Sequence, residues 1–319
     1  VVSRKMKKIH NMKKRQGIFK VWQSINVVAL LLLCSIFSST VFANEFLVNT
    51  FTHSKQEDPD VAKLNNGGFV VVWESKDDDN GDNDNKGISG QRYDADGNKV
   101  GVEFLVNTHT NNEQEDAGVA SLTDGGFVVV WESKDHSNGD NDDEGISGQR
   151  FDADGNKVGT EFLVNTYTDD EQEDASVVGL LDGGFVVVWE SKDNNVGDNG
   201  NEDISGQRYD ANGNKVGGEF LVNTLTNDHQ YDPNVASLSD GGFVVTWETK
   251  DNASGDNDKE GIAGQRFDAN GNKLGTEFLV NTHTHKEQEE PSAAGLLDGG
   301  FVVVWETKDD DTGDDDKGV

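Results

Sequence analysis

Five stretches of the chain combine Asp, Asn and Gly in a way that could hold a hard cation. The first reads Asp77-Asp78-Asp79-Asn80-Gly81-Asp82-Asn83-Asp84, and the others begin at Asp135, Asp193, Asp251 and Asp309. A glycine recurs in each, at Gly81, Gly139, Gly197, Gly255 and Gly313, and an aspartate follows it at once. The candidate ligands are Asp77, Asp79, Asp82 and Asp84 in the first stretch, Asp135, Asp140 and Asp142 in the second, and Asp193 and Asp198 in the third. The fourth offers Asp251, Asp256 and Asp258, and the fifth Asp309, Asp314 and Asp316. Ca2+ takes roughly 6–8 oxygen ligands from carboxylates, amide side chains and backbone carbonyls, all of which such loops supply. Carboxylates about 4 Å apart repel by about 1 kcal/mol in water, and a divalent cation removes that cost. The stretches are not EF-hands, because the Glu that closes that loop is missing. The same residues also make ordinary solvated turns and keep strand edges soluble, so a purely structural reading stands beside the metal one.

Other chemistry is thinner. Glu74, Glu132, Glu190, Glu248 and Glu306 each follow a Trp directly and are the only acids adjoining an apolar run. A glycosidase needs one acid in an apolar setting to raise its proton affinity, but five equal copies speak against an asymmetric active site. No His recurs in all five stretches, no G-x-S-x-G elbow occurs, and the single Cys lies at position 34. Asp94, Asp96, Asp152, Asp154, Asp210 and Asp268 read as turn formers. On these grounds the chain is expected not to be an enzyme.

These residues are carried by one unit repeated every 58 residues. EFLVNT begins at Glu45, Glu103, Glu161, Glu219 and Glu277; Trp73, Trp131, Trp189, Trp247 and Trp305 keep the same interval, as do Gln56, Gln114, Gln172, Gln230 and Gln288. Such a period signals a repeat architecture whose units bury their faces on their neighbours. Each unit reads as four short strands. In the first, Val61–Leu64 precedes the turn at Gly67-Gly68, and Phe69–Glu74 is apolar at consecutive positions, which means cover on both faces. Ile88–Tyr93 alternates, Asp94-Ala95-Asp96-Gly97-Asn98 supplies a tight turn, and Glu103–Asn107 closes the unit. Nothing has helical periodicity. The expected fold is all-β, a repeat protein of four-stranded antiparallel units arranged as a β-propeller, with a linear array of small β domains as the alternative. The Trp column reads as inter-unit core, with sugar stacking as its functional alternative. The first EFLVNT precedes any complete unit and is expected to supply the outermost strand of an incomplete last one.

Residues 1–43 are expected to be a signal peptide cleaved after Ala43. Met12-Lys13-Lys14-Arg15 is basic, the apolar stretch around Leu30–Leu33 is shorter than the ~20 residues of a membrane span, and Val41-Phe42-Ala43 fits a small-residue cleavage site. Residues 44–319 then hold five repeats, the last truncated, and no cysteine. The expected location is secreted or on a bacterial cell surface, with no membrane span after cleavage. The chain carries 27 Lys+Arg against 60 Asp+Glu, a net charge of −33, and only 33 % hydrophobic residues. The first 43 residues hold eight of the basic groups and no acid, so the remainder is more acidic still. Nucleic acid and anionic membranes are excluded as partners by sign.

The pattern GGFVVVW…GISGQR(Y/F)DADGNKVG.EFLVNT resembles a repeat of large secreted bacterial surface proteins described as calcium-binding or haemolysin-type, over essentially all of residues 44–319. The resemblance implies no catalytic residues. The expected function is a secreted, acidic, non-catalytic structural or adhesive surface module stabilised by Ca2+. The alternative is a carbohydrate-binding, lectin-like propeller, with an extracellular glycan or protein as partner.

Overall fold

The computed structural model describes residues 45–76, 86–134, 144–192, 201–250, 260–284 and 286–308. By its contacts the chain divides into residues 1–48 and residues 49–319, and the second unit is the one built of sheets. The expected signal peptide, residues 1–43, lies outside the described residues. Glu45–Asn49 form no strand.

Eighteen strands and no helix are found among the described residues. The first sheet is antiparallel in the order β1 (Gln56–Lys63), β2 (Phe69–Ser75), β3 (Gly87–Tyr93) and β4 (Lys99–Leu105). The second repeats it with β5 (Gln114–Ser121), β6 (Phe127–Ser133), β7 (Gly145–Phe151) and β8 (Lys157–Leu163). The third holds β9 (Gln172–Gly179), β10 (Phe185–Ser191), β11 (Asp203–Tyr209) and β12 (Lys215–Leu221), and the fourth β13 (Gln230–Ser237), β14 (Phe243–Thr249), β15 (Gly261–Phe267) and β16 (Lys273–Leu279). The fifth has two described strands, β17 (Gln288–Gly295) and β18 (Phe301–Thr307).

The sheets are propeller blades, because their apolar faces close on one another. Leu64, Val70, Val72 and Ile88 of blade one meet Val119, Phe127, Val129 and Trp131 of blade two. Blade two meets blade three, and blade three meets blade four, through the equivalent residues. This is why the second strand of each unit is apolar from its Phe to its Trp, with Thr246 of blade four the one exception: one side faces the blade before and the other the blade after. The first strands β1, β5, β9, β13 and β17 lie next to one another and are the innermost of each blade. A linear array of separate β domains is set aside by these shared cores.

The recurring strings are the joints of this stack. Trp131 Nε1 donates to Gln114 Oε1 at 2.8 Å, and the same bond recurs in every blade, which accounts for the paired Trp and Gln intervals. In EFLVNT the Asn accepts from the third strand of its own blade, as from Ile88 N to Asn107 Oδ1 at 2.9 Å. The Thr backbone N–H donates to the Glu of the next copy, as from Thr108 to Glu161 at 2.5 Å. Thr50 docks on Glu103 in the same way, and Lys99 Nζ donates to Thr50 Oγ1 at 2.8 Å, as Lys157 does to Thr108. The end of the first EFLVNT therefore sits on blade one as each later copy sits on the next blade. Arg92 reaches forward to the turn carbonyl of Ala153 at 2.6 Å.

Two glycines are demanded by close approach. A Cβ on Gly68 would lie 2.1 Å from the Tyr93 carbonyl oxygen, and one on Gly90 would lie 2.6 Å from the Phe104 ring that covers it across the β3–β4 pair. The Asp94 turn is self-capped: its Oδ1 accepts from the backbone of Asp96 at 3.0 Å and of Asn98 at 2.8 Å, while Gly97 takes φ +81°. The fourth strand begins at Lys99, four residues before the expected start at Glu103. The first begins at Gln56, before the expected Val61, and contains a bulge between Glu57 and Asp60.

Candidate active site at the acidic axial end

The bulge sets the site. One residue in each innermost strand takes a left-handed conformation: Asp58 at φ 45°, Asp116 at 49°, Asp174 at 52°, Asp232 at 49° and Glu290 at 50°. Non-glycine residues adopt this region rarely, with Asp and Asn the usual exceptions, and outliers of this kind gather at functional sites. Neighbouring members feel one another's charge, Asp116 from Asp174 and Asp58, and Asp174 from Asp232. The result is a row of carboxyls along the innermost strands. Asp116 keeps part of its surface open to solvent. Burial, and then the charges of Asp174 and Asp58, push its proton affinity up to about 6. Burial raises Asp174 and Asp232 as well.

A second tier lies one strand outward. In blades one, two, three and five the Glu after the Trp pairs across to the acid before the bulge, as Glu74 with Glu57 and Glu132 with Glu115, while in blade four Tyr231 stands opposite Glu248. Like charges directly opposite are unfavourable, and the protein handles this in two ways. One is protonation. Burial, then neighbouring acids led by Asp174 and Asp232, pushes Glu190 and Glu248 each up to about 8, and buried Glu132 is held well above its usual range. The other is lysine. Lys134 pairs with Glu115 at 2.9 Å and Glu144 at 2.8 Å, Lys86 with Glu74 at 2.9 Å and also with Glu115, and Lys192 with Glu173 at 2.8 Å. Burial alone would raise Glu115 and Glu144, but Lys86 and Lys134 hold Glu115 below the ordinary glutamate range, and Lys134 with hydrogen bonds from Glu173 and Glu132 does the same for Glu144. One end of the molecule thus contains carboxyls that keep their protons at neutral pH beside carboxylates that do not, the condition for acid–base work.

Carboxylate oxygens of Glu132, Glu144 and Glu173 lie within 4.8 Å of one another, as do those of Glu260, Glu287 and Glu289, close enough to share a cation. Lys134 and Lys192 already neutralise the first group, and Lys308 pairs with Glu289 at 2.6 Å in the second.

The metal ligands expected from the sequence are fifteen aspartates. Asp77, Asp79, Asp82, Asp84, Asp135, Asp140, Asp142, Asp193, Asp198, Asp251, Asp256, Asp258, Asp309, Asp314 and Asp316 all lie outside the described residues. Lys134 and Glu144, the described residues on either side of the second of these stretches, pair at 2.8 Å. The hairpin acids Asp94, Asp152, Asp210 and Asp268 are turn formers as expected, each lowered first by its bonds to the Asn four residues on. The sugar-stacking reading of the Trp column is corrected: Trp131, Trp189 and Trp247 have no exposed surface and Trp73 almost none, so a glycan cannot stack on them. The bulge acids were missed by sequence reasoning. Their only signal is an acid two residues after each recurring Gln, five times over.

No family model and no curated protein sequence matches the chain. Among solved structures it is similar to a Penicillium chrysogenum alpha-L-arabinanase complexed with arabinobiose, at 14 % identity and a TM-score of 0.53, over 78 % of this chain and 74 % of that one. It is also similar to the Hadza microbial sialidase Hz136, at 13 % identity and a TM-score of 0.52, over 79 % of this chain and 53 % of that one. The NanB sialidase of Streptococcus pneumoniae matches at 9 % identity and a TM-score of 0.52, over 83 % of this chain and 59 % of that one. The chain thus spans little more than half the length of the sialidases it matches. These likenesses are of fold. The expectations of a non-catalytic adhesive module and of no enzymatic activity are corrected: the structures that share this fold are named as an arabinanase and sialidases.

Proposed function

We propose that the chain is a glycan-acting β-propeller whose chemistry resides in the row of acids on the innermost strands, with Asp116 as proton donor and Asp58 or Asp174 as the facing carboxylate. The observation that carries this is the raised proton affinity of Asp116 between two acidic neighbours on adjacent innermost strands. Cleavage of a glycosidic bond needs such a pair, one carboxyl protonated and one ionised. The named activities of the arabinanase and the sialidases lend support, and charge chooses between their substrates. The row is acidic and the nearby lysines are engaged with carboxylates, so a neutral arabino-oligosaccharide suits it and an anionic sialylated glycan does not. The test is release of reducing ends from both substrates by the wild type and by Asp116→Asn. The expected result is release from the neutral glycan only, reduced by roughly 10²–10⁴-fold in the variant, the usual worth of a general acid. Equal activity in the variant refutes the assignment.

We assign the Asp-rich loops Ca2+ with an affinity of about 10⁻⁴–10⁻³ M, typical of extracellular modules. Support comes from their composition and from the Lys134–Glu144 pair that holds the two ends of the second loop together. Millimolar Ca2+ is expected to raise Tm over an EDTA control, and an unchanged Tm refutes the assignment.

A further inference from the structure

The first blade interface carries a charge that the later ones do not. One place in the repeat, just before the third strand, is held by Lys86, Glu144, Glu202 and Glu260. Their backbones do the same work. Each carbonyl accepts from the Gln that opens the first strand of the next blade, Lys86 O from Gln114 N at 3.1 Å and Glu144 O from Gln172 N at 3.0 Å. Only the side chain changes, from an ammonium at the first interface to a carboxylate at the other three.

The ammonium bridges two blades beside the row of acids. Lys86 Nζ lies 2.9 Å from Glu74 of blade one and also contacts Glu115 of blade two, the residue before Asp116. The side chains of Lys86, Glu74 and Glu115 are 15 %, 3 % and 14 % exposed, so dissolved salt screens the contact little. At the second interface Glu144 takes the same place, and three carboxylates meet where the first has two and an ammonium. At the third, Glu202 turns to His229, and at the fourth Glu260 pairs with Lys250 at 3.2 Å. The charged groups around Asp116 are Asp58 on β1, Glu74 on β2, Glu115 on its own strand, Glu132 on β6, Asp174 on β9, and Lys86, with Lys134 one step further out on Glu115.

We propose that Lys86 is a positioning residue: by tying Glu74 to Glu115 across the first interface it fixes Asp116 in the row and sets it apart from the bulge acids of the other blades. This rests on Asp116 as the proton donor. An ammonium nearby favours the ionised form of Asp116, so it opposes the rise that burial, and then Asp174 and Asp58, impose. The donor can then surrender its proton close to neutrality, which suits a general acid.

The test is an NMR titration of the Asp116 carboxyl in the full chain, comparing the wild type with Lys86→Gln and Lys86→Arg. The wild-type midpoint is expected at about 6. Loss of the charge in Lys86→Gln is expected to raise it by about half a pH unit, while Lys86→Arg keeps the wild-type value. The alkaline limb of glycan release is expected to move up with the midpoint. An unchanged midpoint in Lys86→Gln overturns the proposal. So does an equal rise in Lys86→Arg, which would make the cause packing rather than charge. The titration needs no turnover: full activity in Asp116→Asn would remove the donor assignment, while the midpoints alone decide whether Lys86 governs the Asp116 proton.

Discussion

At the residue scale the molecule spends its polar side chains on joints. Gln114 exists to receive the Trp131 indole N–H, and Glu161 to receive the backbone of Thr108, so residues that look like a ligand-binding column are structural. Real chemical tension remains in the glutamates beside the tryptophans. Glu190 has an ordinary value near 4.5 when unfolded and about 8 when folded. Between those values the folded state keeps a proton that the unfolded state has lost. Stability from this group is therefore complete below about pH 4.5 and is lost as pH rises through 8. Each unit of displacement corresponds to roughly 1.4 kcal/mol. Glu190→Gln is expected to match the wild type near pH 5 and to exceed it near pH 9, by chemical denaturation at both values. Parallel pH profiles for the two proteins would remove the glutamate from the explanation.

At the element scale the second strands were legible, because a run such as Phe185–Trp189 has no other use than burial on two sides. The hairpin turns were legible from Asp-Ala-Asp-Gly-Asn. The first strand was not: Gln-Glu-Asp reads as polar loop, and only the neighbouring blades make it an inner strand. The beginning of the fourth strand escaped for the converse reason, since Lys99–Val102 pairs with β3 but stays exposed and shows no buried face. The bulge itself makes a prediction. Asp174→Gly keeps the left-handed residue without strain, while Asp174→Val places a β-branched side chain at φ 52° and is expected to cost about 1–3 kcal/mol by denaturant melts. Equal stability of the two variants would show that the strand does not need the bulge.

At the scale of the whole molecule the fixed interval of 58 residues was enough to foretell stacked four-stranded blades, because no unit can bury its two-sided strand alone. The site was not foretold. Five equal copies looked inert when read along the chain, yet placed side by side on the innermost strands they become neighbours that shift one another's protons. Asp116 differs from an isolated aspartate first because the blades bury it and then because Asp174 and Asp58 stand on the strands at either side. The most direct measurement of this account is a carbon-detected NMR titration of the Asp116 carboxyl with and without a neutral arabino-oligosaccharide. The account predicts a midpoint near 6 that moves when the glycan is added. A midpoint at the ordinary aspartate value of 3.8, indifferent to the glycan, would contradict it.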